Sequence, residues 1–368
     1  MEKCKLGDIC EIVSGSTPKT TIEEYWDGDV KWITPAELNE NVYIINDSVR
    51  KITKLAVEKT GLSSFPEGTV ILSTRAPIGK VAIAGCEMYC NQGFKNLICS
   101  EKIFNKYLYW FLKGNTMFLN SLGRGATFKE ISKAIVSEIE INVPEIEEQH
   151  EIVKILEKVN TIIRFRKQEL SVLDTLVKAR FVEMFENKTE YDQFRLEEIA
   201  DIVSGITKGR KTKCGELREV PYMAVSNVKD GYIDWTTVKT ILATEDEIIQ
   251  YKLLPDDVLM TEGGDPDKLG RGAIISLPPK DCIHQNHIFR VRLDETRILP
   301  RYFSAYLQSP QAKTYFLRAT KQTTGIASIN MRQLRGLPTI VPPIEQQLKY
   351  VSFSEQVDKL LRKQSELV

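Results

Sequence analysis

Asparagine, glutamine, arginine and lysine recur in short, glycine-bearing segments of this sequence, and each such segment has a counterpart. "CNQGFK", from Cys90, carries Asn91 and Gln92, and "HQNH", from His284, carries Gln285 and Asn286. A carboxamide both donates and accepts, so it can bond adenine in two places; a buried amide stitching a turn uses the same groups. "STRAPIGK" supplies Arg75 and Lys80, and "TEGGDPDKLGR" supplies Lys268 and Arg271. There glycine lets backbone approach a phosphate closely while the cations neutralise it, although a plain hairpin needs the same glycines. An earlier turn offers Ser16, Thr17 and Lys19, and its counterpart offers Thr207, Lys208, Arg210, Lys211 and Lys213, with "KGRKTK" the most basic run of the chain. Two late loops, "GRGATFKEIS" and "TTGIASINMR", carry Arg124, Thr127, Lys129, Ser328, Asn330 and Arg332. Side chains of these types contact phosphates and base edges in DNA grooves, and a solvated loop is the plain alternative for each.

Other chemistry finds little support. His284 and His287 are spaced like metal ligands, but no cysteine or acidic cluster adjoins them and the remaining histidine is His150, so no metal site is assigned. The seven cysteines include no CxxC pair, which argues against a disulfide framework or structural zinc. No NPPY or NPPF tetrapeptide, phosphate-binding G-x-x-x-x-G-K-[ST] loop or nucleophile triad is present, and no catalytic residue is assigned. The 50 basic residues balance 50 acidic ones, so a DNA-facing surface has to come from local clustering. No apolar run approaches the roughly 18 residues of a membrane span, and "MEKCKLGDIC" does not resemble a signal peptide, so a cytoplasmic protein without membrane contact is expected.

The pairing of segments runs through the whole chain. "CEIVSGSTPK" from Cys10 matches "ADIVSGITKG" from Ala200; "GTVILST" faces "DDVLMTE", "GKVAI" faces "GRGAI", "NKYLYWFL" faces "PRYFSAYL", and "VPEIEEQ" faces "VPPIEQQ". Conserved order with drift confined to loops indicates duplication of a unit of roughly 190–200 residues, too long for a solenoid repeat and long enough for a domain.

Each unit has two textures. β-branched runs such as "VKWIT", "TVILST" and "GAIISL", punctuated by Gly, Pro, Asn and Asp, predict strands and turns, followed by a short amphipathic helix. After Pro144 the texture changes to about forty residues without Gly or Pro, predicting a helix about 60 Å long. Its apolar stripe includes Ile152, Leu156, Val159, Ile163, Leu170 and Leu173, more than one small core can cover. A shorter helix after Pro343, with Val351, Val357, Leu360 and Leu361, is the expected partner. The expected fold class is α+β: two similar globular domains with mixed or antiparallel sheets, separated by two long antiparallel helices in a pseudo-twofold arrangement. The predicted boundaries are 1–143 for the first domain, 144–188 for the central helix, 189–341 for the second domain and 342–368 for the last helix.

This pattern resembles the specificity subunit of Type I restriction-modification systems. The likeness is carried by "LGDICEIVSGSTP" and "LEEIADIVSGIT" opening each domain, by "INVPEIEEQHEIVKIL" and "TIVPPIEQQLKYV" opening each helix, and by "KARFVEMF" ending the central one. The resemblance implies two target-recognition domains reading a bipartite, asymmetric site on double-stranded DNA. It also implies a subunit without catalytic activity, partnered by two methyltransferase subunits and by restriction or motor subunits. S-adenosylmethionine, ATP and Mg²⁺ are expected in those partners, with no cofactor in this chain. A stand-alone methyltransferase or nuclease, and a coiled-coil adaptor without a DNA role, are the alternatives.

Overall fold

The computed structural model describes residues 2–39, 42–125, 129–186, 188, 190–210, 216–264, 270–319 and 327–365. They form two compact units, 1–164 and 165–368, whose boundary falls within one helix.

In the first unit a five-stranded sheet runs in the order Cys10–Ser14, Phe94–Cys99, Val70–Ser73, Val81–Ala84, Ile44–Ile45. A three-stranded sheet orders Lys51–Ile52, Trp26–Ile33 and Tyr89–Cys90. Most ladders are antiparallel, but Ile44 and Trp32 lie on parallel pairings, so the sheets are mixed. The strands are runs such as "VILS" in which every residue is buried, because the sheet is covered on one face by the helix Asn105–Gly114 and on the other by a second apolar cluster around Phe65 and Phe94. Burying each such Leu or Ile stabilises the fold by about 1.5–3 kcal/mol.

The second unit repeats the plan: Ala200–Ser204, Ile288–Leu293, Val258–Thr261, Gly272–Ile274 in one sheet, and Lys239–Ala243, Arg218–Met223, Ile283–His284 in the other. Individual bonds repeat as well. Tyr107 donates its hydroxyl to Asn142 O (2.9 Å), and Tyr302 to Ile340 O (3.0 Å). Each unit closes on a two-stranded pairing of its first and last strands, Glu2–Lys5 with Glu140–Val143 and Asp192–Arg195 with Pro338–Val341. The duplication read in the sequence is therefore a duplication of structure.

The start of each long helix is fastened by a buried glutamine. Gln149 accepts from Phe104 N (2.8 Å) and donates to Lys102 O and Pro144 O (both 2.9 Å). Gln347 does the same with Leu299 N (2.8 Å), Arg297 O (2.9 Å) and Pro342 O (2.7 Å). Both are fully buried, so each amide satisfies three backbone groups that would otherwise be stranded.

The helix beginning at Ile146 is unbroken over Ile146–Phe185, 40 residues, as the absence of Gly and Pro requires. Glu147 and Glu148 sit in its first turn, where the helix dipole favours them. Lys178 with Asp174, and Arg180 with Glu183, support its exposed face, each contributing about 0.3–0.5 kcal/mol.

Burial along the predicted pairing stripe is uneven. Leu156, Val159 and Ile163 are exposed, Ile152, Leu170 and Leu173 are half-buried, and the most exposed apolar positions are Ile155 and Ile162 at about 60%. In the second unit the long helix instead meets the helix Ile344–Ser365 through Phe181 and Phe185 on Tyr350, with the Arg180 guanidinium over Phe353. Of the other predicted contacts, Val357 is buried, Val351 and Leu361 are half-buried, and Leu360 is exposed. Helical spacing marks an apolar stripe without saying whether its cover comes from the same chain. No helix among the described residues is long and apolar enough to cross a membrane.

Candidate nucleic-acid interface

Four segments of the first unit converge at one junction. Gly15 follows the strand Cys10–Ser14 and lies so close to the segment after Tyr89–Cys90 that a methyl group in place of its hydrogen would overlap the carbonyl of Asn91. That closeness lets Ser16 N donate to Cys90 O (2.9 Å) and Thr17 bond the Gln92 side chain. Thr74 then bridges the remaining two segments, its N–H donating to Gly93 O (2.7 Å) and its carbonyl accepting from Ile131 N (2.9 Å). Segments at all four predicted loops of the first unit, the late loop included, thus share one edge.

The second unit builds the same junction with other side chains. Gly205 has the same close approach, here to His284; Ile206 N donates to His284 O (2.8 Å), Glu262 N to His287 O (3.0 Å), and Ile329 N to Glu262 O (2.7 Å). Glu262 stands where the first unit has Thr74, and His287 stands where it has Gly93. The backbone frame is common, and the side chains it presents are not.

The predicted residues divide by what already holds them. Ser16, Thr17, Lys19, Gln92, Arg124, Lys129, Thr207, Lys208, Ser328 and Arg332 are exposed. Others have structural partners. Asn91 accepts from Gly93 N (2.9 Å), Gln285 accepts from Val225 N (3.3 Å), and Asn330 caps the helix Met331–Arg335 by accepting from Gln333 N (2.9 Å). For Asn91 and Gln285 the turn-stitching alternative is the one realised. Arg210 is held in an ion pair by Glu247, and Lys80 donates to Pro35 O (3.1 Å). Arg75 pairs with Glu130 (2.8 Å), which also lies 3.7 Å from the buried Lys95. Asn286 is half-buried beside His287, and Arg271 is half-buried with its Nε lacking a hydrogen-bond partner among the described residues. Gly79 and Gly270, in the corresponding hairpin loops, both have positive φ (90° and 72°), so the turn itself requires glycine. Thr127, Lys211, Lys213 and Lys268 lie outside the described residues.

Sequence reasoning missed three features at this edge. The turn carrying Ser16 and Lys19 is braced by two indoles: Trp32 Nε1 donates to Ser16 O (3.0 Å) and Trp26 Nε1 to Lys19 O (3.3 Å). Exposed Arg50 stacks its guanidinium over Trp26, 3.9 Å from the ring centroid, which preorganises the planar cation for phosphate or guanine. Glu262 and His287 form the third, a side-chain hydrogen bond through Nδ1. The closely spaced Trp26 and Trp32, followed by Arg50, were the available signal for the first two; His287 drew attention only as a metal ligand.

The neighbouring His284 is fully buried with Nδ1 3.1 Å from Ile288 O. Burial, with Arg290 nearby, pushes its pKa down to about 4, so the ring is neutral at physiological pH. No group of three or more His, Cys, Asp or Glu suited to a metal ion occurs among the described residues.

Comparison with known proteins agrees with this duplicated frame. The sequence matches the family described as the Type I restriction modification DNA specificity domain twice, over residues 1–175 and 188–367. It is 38% identical over 224 residues to the Type I restriction enzyme MjaIX specificity subunit of Methanocaldococcus jannaschii, covering 59% of this chain and 51% of that protein. It is 25% identical over 321 residues to the EcoKI specificity subunit of Escherichia coli K12, covering 79% of this chain and 68% of that one. This chain therefore spans about half the length of the first relative and about two thirds of the second. The fold is shared with a chain solved in work on complex assembly of the type I R-M system (TM-score 0.63, 18% identity, 100% of this chain and 93% of that one). It is also shared with the Type I restriction-modification S subunit of M. genitalium (TM-score 0.54, 15% identity, 99% and 91%). With two matches that together span nearly all of its residues, the chain belongs to the Type I restriction-modification DNA specificity family and carries two copies of the family's domain.

Proposed function

We propose that this chain is the DNA-reading, non-catalytic subunit of a Type I restriction-modification complex. Each unit reads one half of a bipartite target on double-stranded DNA, and the linking helix acts as the spacer for an unread gap. The observation that carries this reading is the loop junction built twice on one backbone frame from different side chains. A common frame docks each unit on a groove in the same way, and different side chains at the junction give different half-sites, hence an asymmetric target. Two readers on one spacer add their binding free energies and reject sites of the wrong separation.

Catalysis belongs to two methyltransferase subunits and to restriction or motor subunits, which bring S-adenosylmethionine, ATP and Mg²⁺. The exposed apolar stripe of the long helix, from Ile155 to Val172, is the surface offered to such protein partners. The test is domain exchange in the assembled complex. Replacing residues 1–143 with the equivalent part of a relative changes one half-site of the methylated sequence and leaves the other intact. Alteration of both halves, or of neither, contradicts the reading.

A further inference from the structure

The two junctions differ most at the bridging residue that follows the strand Val70–Ser73 in the first unit and Val258–Thr261 in the second. In the first unit that residue is Thr74, opposite Gly93; in the second it is Glu262, opposite His287. Glu262 is fixed at its backbone on both sides, by His287 O (3.0 Å) and by Ile329 N (2.7 Å). Its carboxylate is held as well, by a hydrogen bond with His287 Nδ1, while Asn286 Nδ2 lies 3.4 Å from His287 Nε2. Yet the pair is open to solvent, with 56% of the His287 side chain and 36% of the Glu262 side chain exposed. A side-chain contact this exposed adds little to stability, about 0–1 kcal/mol, so its stabilising effect does not account for an acidic group at the junction.

We propose that Glu262, positioned by His287 and flanked by Asn286, is a base-reading residue of the second unit that selects adenine or cytosine at one position of its half-site. The inference rests on the reading given under Proposed function. A carboxylate brought up to DNA is repelled by phosphates and gains only where it meets a hydrogen-bond donor. On the major-groove edges the donors are the exocyclic amino groups of adenine and cytosine, whereas guanine and thymine present carbonyl oxygens that repel it. The histidine holds the carboxylate in one orientation, which a specificity contact needs and a solvated glutamate lacks. Thr74 is fully buried with its hydroxyl donating to Gly93 O (3.3 Å), so the first unit presents no such group at this position. Specificity at this position therefore belongs to one half-site alone.

The experiment uses the full chain assembled with its modification subunits, and maps methylated sites for wild type, Glu262→Gln, Glu262→Asp and His287→Ala. Glu262→Gln, which can donate as well as accept, admits guanine or thymine at one position of the second half-site, lowering discrimination there about tenfold. The first half-site and the gap stay unchanged. Glu262→Asp keeps the preference for an amino-bearing base with weaker discrimination, and His287→Ala blurs the same position by releasing the carboxylate. Thermal melting of each variant separates a reading defect from misfolding. Full retention of wild-type preference by Glu262→Gln, or loss spread over both half-sites, overturns the proposal. Wild type is mapped first: a contiguous target, or none that depends on this chain, would instead mark failure of the function itself.

Discussion

Replacing Gln149 with leucine removes one side chain of nearly equal volume and strands three backbone groups at once. Phe104 N–H loses its acceptor at 2.8 Å, and Lys102 O and Pro144 O each lose a donor at 2.9 Å, at a fully buried position. Each buried polar group left without a partner costs about 1–3 kcal/mol, and the leucine recovers some apolar burial, so a loss of about 3–5 kcal/mol is expected. Gln347→Leu strands Leu299 N–H, Arg297 O and Pro342 O and carries the same cost. Because the chain forms two compact units, a single melting temperature would blend them, and hydrogen exchange resolved by peptide is the appropriate assay. A 3–5 kcal/mol loss speeds exchange through the opened unit by roughly two to three and a half orders of magnitude. Gln149→Leu speeds exchange in peptides from residues 94–143 and leaves 196–341 unchanged, and Gln347→Leu does the reverse. Acceleration below tenfold, or equal acceleration in both units, refutes the view that each helix start is independently fastened by its glutamine.

Three further outcomes follow from the same geometry. Gly15→Ala and Gly205→Ala each force a methyl group into a neighbouring carbonyl, so each destabilises its own unit by about 2 kcal/mol or more and weakens DNA binding; peptide-resolved hydrogen exchange and a binding titration check both. His284 has a folded pKa of about 4 against about 6.5 unfolded, so its stabilising contribution is full above pH 6.5 and is lost as pH falls towards 4, on the order of 3 kcal/mol in all. His284→Gln flattens that slope in urea melts run from pH 7 to pH 4, and an unchanged slope contradicts the assignment. Arg50→Ala, which removes the guanidinium stacked on Trp26, weakens binding to targets with either second half-site and lowers the salt dependence of affinity by about one counterion if the contact is to phosphate.

The architecture was legible because its signals were long-ranged and redundant. The matched openings at Leu6 and Leu196 place the same backbone bond, Leu6 N to Ile139 O (2.9 Å) and Leu196 N to Leu337 O (3.0 Å). Forty residues without Gly or Pro can hardly be anything but helix. The fate of the apolar stripe was illegible, since periodicity at Leu156, Val159 and Ile163 is the same whether the covering surface is in this chain or in another. Loop residues were half legible. Their convergence followed from the repeat, but residue type alone could not separate Gln92, exposed at the edge, from Asn91, which is spent on Gly93 N. Glu262 was overlooked for a physical reason: acidic residues are discounted when a phosphate-facing surface is sought, and only its bond with His287 and its position equivalent to that of Thr74 reveal it.

The central claim is that two similar units read two different half-sites. Sequencing the methylome of cells that express this chain with its methyltransferase partner tests it most directly. The account predicts methylation at a split target, two unlike short blocks of fixed spacing, with one block replaced when residues 1–143 are exchanged. A single uninterrupted recognition block, or a methylation pattern indifferent to this chain, would contradict it.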